Sequence, residues 1–581
     1  MKRSQGNDLD LGSIPGKKAC LTFPSEGRDK HLFIAGGTGT GKSRFLESLV
    51  RQDICSWRKS KCSVILIDPH AAVYDRIINW LAWNGIDRPV IPIDLRQDDW
   101  IVSYNLLRQR STDPAVLVDG MTDAIAYVWG QSNMDATPLL ARWAGNVLRA
   151  LYEQKLTLVD AKYLIDRVSK KIRYALTNNL SDKLSRQDWE FVDTLNPKDF
   201  ENQLGSMINR LRPFINNGTM QLMFGQPDVS LDLGAAIDSG AIILVSLATE
   251  GGRISPENSK LFATLFLNDL WTAVRERGKR DNLKPTYVYA DEFQHFVTPT
   301  ISENLDEARG YGIALTLAQQ FPRQLLNRGE SGQRIFDSIM ENASSKIAFR
   351  LSYEDNLRAL AQCLYMGAID PDEVKHALYS TKVVGYSEEM RTSITRGKTT
   401  GHGFGAFDGY TAGASCGGAM NNHMKCNPES WNEYDADSTG TSDTSSESES
   451  YSETESSMLI PILGKELSSI QYRSVEEQQF KAMQFLFRQK ERECVARLVS
   501  MNSPVSVHTQ HMDNVPHTAE RTQAYLDACY AKLPFALRRI EAAKQLKDWE
   551  AKLEKQLSSG GHSEPVTASK RISKYPDILN K

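Results

Sequence analysis

Cysteine pairs are missing from this chain. Eight cysteines are scattered over 581 residues without a single CxxC, which argues against a disulfide scaffold and fits free thiols in a reducing compartment. Cys416, His423 and Cys426 lie near one another but match no standard zinc spacing. Long apolar runs are missing too. Nothing approaches the ~20 residues that a membrane helix needs, and the opening "MKRSQGNDLDLGS" turns polar at once, with no signal-peptide core. The expected place is the cytoplasm, with docking at the periphery of a membrane complex left open. Nor is there a strong excess of charge of one sign. The net charge is −3, with residues 1–400 at +1, 401–457 at −9 and 458–581 at +5. One acidic stretch therefore hides a mildly basic remainder, and any contact with a polyanion must be local.

Buried-strand patterns are present in number. "HLFIA", "CSVILID", "PVIPIDL", "AIILVSLA", "PTYVYAD", "GIALTLAQQ" and "KIAFRLS" are short, near-continuous apolar runs, the pattern of strands covered on both faces of a parallel sheet. Helical patterns separate them, which predicts an α/β domain over residues 31–400 behind a polar lead-in at 1–30. From about 112 to 234 only helical patterns occur, and these predict an all-α insertion. Residues 401–457 are glycine-rich, then Ser/Glu-rich, and read as a disordered linker. Residues 458–581 read as a helical C-terminal region.

The chemistry begins at Gly36-Gly37-Thr38-Gly39-Thr40-Gly41-Lys42-Ser43, which is G-x-x-x-x-G-K-S between a strand and a helix. Glycines let backbone N–H groups close around phosphates, and the helix N-terminus adds its dipole. Lys42 is expected to reach the β- and γ-phosphates of ATP, and Ser43 to ligate Mg2+. Such a loop needs an acidic partner. "YVYADEF" supplies Asp291 for Mg2+ and Glu292 to polarise the attacking water. Asp68, ending "VILID", lacks an adjacent Glu and is either at the pocket's edge or a turn cap. Gln319 and Gln320 end the next strand; they either sense the γ-phosphate, chiefly through Gln320, or bond a turn before Pro322. Arg309 is the candidate arginine finger, with Arg350 in reserve; on spacing alone a surface ion pair with Asp306 or Glu307 serves Arg309 as well. The fold class is thus α/β, a P-loop NTPase of the RecA-like, strand-inserted class.

Together, "HLFIAGGTGTGKS", "VILIDPH", "AIILVSLA", "YVYADEFQHF" and "EARGYGIALTLAQQFPRQL" resemble the HerA–FtsK superfamily of ATPases. The likeness is strongest to the type IV secretion coupling proteins of conjugative DNA transfer, through "DEFQ", "EARGYGIALTLAQQ" and "IMENASSKIAFRLS". It spans roughly residues 30–370. It implies a hexameric ring with ATP between neighbours, sequence-independent DNA in the channel, and a relaxase, nuclease or secretion-channel partner. It places Arg309 on the finger arginine and Gln320 on the sensor glutamine. Relatives carry transmembrane helices or a β-barrel before the loop. The 35 residues before Gly36 hold neither, so a form without a membrane anchor is expected, moving DNA or gating a partner's docking by nucleotide.

Overall fold

The computed structural model describes residues 8–558 apart from 87, 111, 130–137, 280–282, 299–304, 327–328, 371, 403–405 and 409–445. The Cys416–Cys426 stretch lies outside them. Two compact units emerge, one of residues 1–369 with 475–581 and one of residues 370–474.

The first unit is built on an eleven-stranded sheet. Its centre is seven parallel strands: β3 (Leu32–Ala35), β4 (Ser63–Asp68), β5 (Val90–Asp94), β7 (Ile242–Ser246), β8 (Thr286–Ala290), β9 (Ile313–Gln319) and β10 (Ser345–Phe349). These are the seven apolar runs of the sequence. They stand in the order β10-β3-β9-β8-β4-β7-β5, every pairing parallel. Every residue of β3, β4, β7, β8 and β9 is buried, as expected for strands covered on both faces. Register aligns their ends, with Ala35 opposite Gln319, Leu317 opposite Ala290 and Ala290 opposite Ile67. The loops after β3, β4, β8 and β9 therefore leave from one edge, the carboxyl edge where open α/β sheets bind ligands.

Between β6 (Trp100–Val102) and β7 no strand occurs among the described residues. Helices fill the interval, among them Pro138–Glu153 and Pro197–Ile215, around the buried edge-to-face pair Trp143–Trp189.

Three segments differ from the sequence reading. The lead-in holds β1 (Leu9–Ser13) and β2 (Cys20–Phe23), which extend the sheet at one end. Behind them, buried Arg28 grips Asp53 with two bonds of 2.7 and 2.6 Å. Burial works against that guanidinium, but Asp53 outweighs it and holds its pKa above the ordinary range. The C-terminal region is not wholly helical. Its β14 (Glu493–Arg497) and β15 (Val505–His508) bridge β10 to β1, all antiparallel, and β16 (Ala536–Arg538) pairs with β6. Finally, residues 446–457 are not linker but strand. In the second unit β11 (Val374–His402) and β13 (Ser446–Tyr472) form a long antiparallel ribbon, with β12 (Ala406–Asp408) beside the end of β11. The polar composition hides a strand because its backbone groups pair with β11 and need no apolar core.

Among the described residues no helix is long and apolar enough to cross a membrane.

Candidate nucleotide site

The phosphate-binding loop runs from the end of β3 into helix α1 (Lys42–Ser60). Its backbone is anchored on both sides. Gly36 donates to the carbonyl of Gln319 at 3.2 Å and Gly37 to that of Arg350 at 3.1 Å. Gly36 admits no side chain, since a Cβ there would stand 2.6 Å from that of Phe349. Gly41 caps α1 in the left-handed region, with φ of 101°, a conformation that costs glycine little. Within the turn Thr40 Oγ1 donates to the carbonyl of Gly37 at 2.7 Å.

Lys42 is buried, and its ammonium donates to Asp291 Oδ1 and, at 3.1 Å, to Glu292 Oε1. Both carboxylates are buried as well, 5% and 2% exposed, so three ionisable groups share one small, largely buried volume. Burial disfavours the Lys42 charge, but Asp291 and then Glu292 outweigh it and raise its pKa. Glu292 sits at φ 47°, ψ 42°, a left-handed conformation rare for a non-glycine residue and a form of strain that gathers at functional sites. Gln294 donates to Glu292 Oε2 at 2.6 Å and fixes that side chain.

Asp68 takes the structural role. Its carboxylate accepts the N–H groups of His70, Val73 and Tyr74 at 2.9, 2.7 and 3.0 Å, organising the entry to helix α2 (Ala72–Asn84). Burial pushes its pKa up, and nearby Asp291 pushes the same way.

The two glutamines divide their roles. Gln319 is fully buried and donates to the carbonyl of Phe321 at 2.8 Å, the turn before Pro322. Its Oε1 has no hydrogen-bond partner among the described residues. Gln320 faces the phosphate loop, with Oε1 3.5 Å from Thr38 Oγ1. Arg309 stands elsewhere. It follows Ala308 in a short turn ahead of β9, at the sheet edge opposite the loop, and pairs with Asp29 at 2.6 Å. The seven residues of β9 separate the two edges by roughly 20 Å. Arg309 therefore does not belong to its own chain's loop. Arg350, by contrast, flanks that loop through its backbone.

Arg492 was not legible from the sequence. Its N–H donates to the carbonyl of Thr40 at 3.0 Å, and its Nη2 donates to the carbonyl of Thr509 at 2.9 Å. No local pattern announces it, because its partner lies in the phosphate loop.

The donor set fits a nucleoside triphosphate with Mg2+. It offers a close-approach glycine turn at a helix N-terminus, a buried lysine, and a serine hydroxyl beside it in sequence. Residues 285–400 match a protein-family model described as the TraM recognition site of TraD and TraG. Similar solved structures include the bacterial conjugative coupling protein TrwBdeltaN70 in an unbound form, with TM-score 0.49 and 10% identity over 89% of this chain and 91% of that one. Another is the plasmid coupling protein TrwB in complex with ADP and Mg2+, with TM-score 0.48 and 10% identity over 89% and 92%. A third is VirB4 of Thermoanaerobacter pseudethanolicus, with TM-score 0.42 and 15% identity over 62% and 88%. No curated protein matches the chain.

Proposed function

We propose that this chain is an ATP-hydrolysing motor that moves DNA, working as a homo-oligomeric ring of the coupling-protein kind. The observation that carries the reading is the buried contact of Lys42 with Asp291 and Glu292. A lysine held on two carboxylates is a resting arrangement in which one positive charge offsets part of two negative ones. A triphosphate offers the ammonium a stronger partner and frees both acids for chemistry.

In that state the backbone of residues 36–43 and Lys42 would hold the phosphates, and Ser43 with Asp291 would hold Mg2+. The ion supplies neutralisation of charge developing on the phosphoryl oxygens. Glu292, fixed by Gln294, orients and polarises a water. Gln320, beside Thr38, reports the presence of the terminal phosphate. Arg309 lies too far from its own loop to act there, so it would serve a neighbour's site, which makes the ring part of the mechanism.

The test is Mg2+-dependent ATP turnover by the purified full chain, with and without single- or double-stranded DNA. Turnover that rises with DNA and loses that response steeply as salt increases supports a motor on phosphate contacts. Indifference to every DNA would refute it.

A second reading is favoured by the family match, whose description names partner recognition in TraD and TraG. Here nucleotide gates the docking of a relaxase, nuclease or secretion substrate without translocation. It predicts partner binding that depends on ATP while turnover ignores DNA.

A further inference from the structure

The β11–β13 ribbon is long, two-stranded and exposed on both faces. On one face Tyr386, Met390 and Leu459 are 64, 63 and 62% exposed, and on the other Met458, opposite Glu389, is 55% exposed. A lone two-stranded hairpin is marginal in water, and a long open edge is a template for another strand. From Gly385 opposite Ile462 to Gly401 opposite Ser446 the pairing runs without a register shift. Among the described residues, the outer edge of β11 along that run meets β12 only at Thr400 and Gly401, and the outer edge of β13 pairs with no strand.

The two strands carry opposite charge. β11 has five basic residues against two acidic, and β13 has five acidic against one basic. Within one ribbon this complementarity is already used, as in the 3.2 Å pair of Lys382 with Glu466. The outer edges offer the same match again, now to a different copy. We infer that the ribbon is an assembly element, in which the β13 edge of one copy pairs antiparallel with the β11 edge of the next. Such head-to-tail contacts close into a ring when the rotation permits, leaving no free edge. A second copy suits the surface better than a lipid does, because Ser446–Ser457 holds a single apolar side chain, Tyr451.

The inference does not rest on the motor reading, so its test omits nucleotide and DNA. Tagged full-length copies carrying Thr395→Cys are co-expressed with untagged copies carrying cysteine at Ser450, Ser452, Thr454 or Ser456, one at a time. The mixtures are oxidised, and disulfide-linked peptides between copies are identified by mass spectrometry. Thr395 faces Ser452 within one ribbon, and the four positions cover shifts of register on the same face. An interchain disulfide from residue 395 to one of the four is expected. It should fall at least tenfold when one partner alone carries R391E, R396E, E453K and E455K, which keep its own ribbon complementary. It should return when both partners carry them. No interchain link at any of the four positions overturns the proposal, as does a link indifferent to the charge exchange. Binding of the protein to phosphatidylcholine vesicles in place of any link would assign the ribbon to a membrane and overturn it equally.

Discussion

The backbone N–H of Arg492 is bonded to the carbonyl of Thr40, tying the turn ahead of β14 to the phosphate loop at 3.0 Å. This bond sits beside a larger dependence. β14 pairs with β10 over Lys346–Phe349, and its Cys494, Val495 and Ala496 are buried. Cutting the chain after residue 474 therefore removes interior strands, not an appendage. A truncated protein would bare one edge of β10 and lose several buried apolar side chains at ~1.5–3 kcal/mol each for the larger ones. The expected outcome is a fall in melting temperature of at least 10 °C or insoluble expression, with ATP turnover lost alongside. A truncated protein of unchanged melting temperature would show that β14 and β15 are dispensable to the sheet.

Lys42 holds two buried acids, so its removal has two readouts. Lys42→Ala should lower ATP turnover by roughly 10²–10³, the scale for one lost preorganised donor. It should also destabilise the ligand-free protein by about 3 kcal/mol, because two buried carboxylates lose their counter-charge. The raised pKa of Lys42 sets the sign with pH. The stabilisation is fully present below the ordinary lysine range and is lost only as pH rises through the raised value, so the deficit of the variant should be complete at pH 7 and shrink only in strong alkali. Adding Asp291→Asn to Lys42→Ala should restore part of the melting temperature and none of the turnover. Thermal unfolding with and without ATP separates the two effects.

The parts of this site that sequence made visible are local ones. G-x-x-x-x-G-K-S is contiguous, and "YVYADE" places two acids at the end of a strand announced by its own apolar run. The seven parallel strands were legible for the same reason, since burial on both faces marks each of them without knowledge of its neighbours. What stayed hidden depends on distant partners. β14 is five residues, "ECVAR", and becomes a strand only against β10. Ser446–Ser457 reads as disorder by composition until β11 supplies its pairing. Arg28 looks like part of a polar lead-in, and only Asp53 and Tyr289 explain why it is buried. Asp68 could be read as a residue at the pocket's edge or as a turn cap, and the cap rests on three backbone bonds that only the folded chain shows.

Gln319 and Gln320 are adjacent in sequence but face different surroundings, and their variants should separate. Gln319→Ala removes a buried bond to the carbonyl of Phe321, at a cost of about 1–2 kcal/mol. It should lower the melting temperature by several degrees. Gln320→Ala touches only the solvent-facing contact with Thr38. It should leave the melting temperature within about 1 °C, consistent with surface changes worth under ~0.5 kcal/mol, while lowering kcat at least tenfold. Steady-state ATP turnover beside thermal unfolding reads both. The reverse pattern would move the sensing role to Gln319.

Arg309 offers the sharpest test of a shared site, because its place in the fold forbids action within its own chain. It is 63% exposed and its contact with Asp29 is a surface ion pair, worth little to stability. Arg309→Ala should therefore leave the melting temperature unchanged while lowering turnover by 10³ or more, the scale of an arginine supplied in trans. Lys42→Ala is also inactive, for a different reason: its own loop fails. When the two variants are co-expressed, some junctions will pair an intact loop from the Arg309→Ala copy with an intact arginine from the Lys42→Ala copy. Those junctions should hydrolyse ATP, so the mixture recovers turnover that neither variant shows alone. Recovery requires that arginine and loop come from different subunits. If the mixture stays as inactive as its components while wild-type protein prepared in parallel is active, the arginine is not a finger. The exposed pair with Asp29 would then be its whole role.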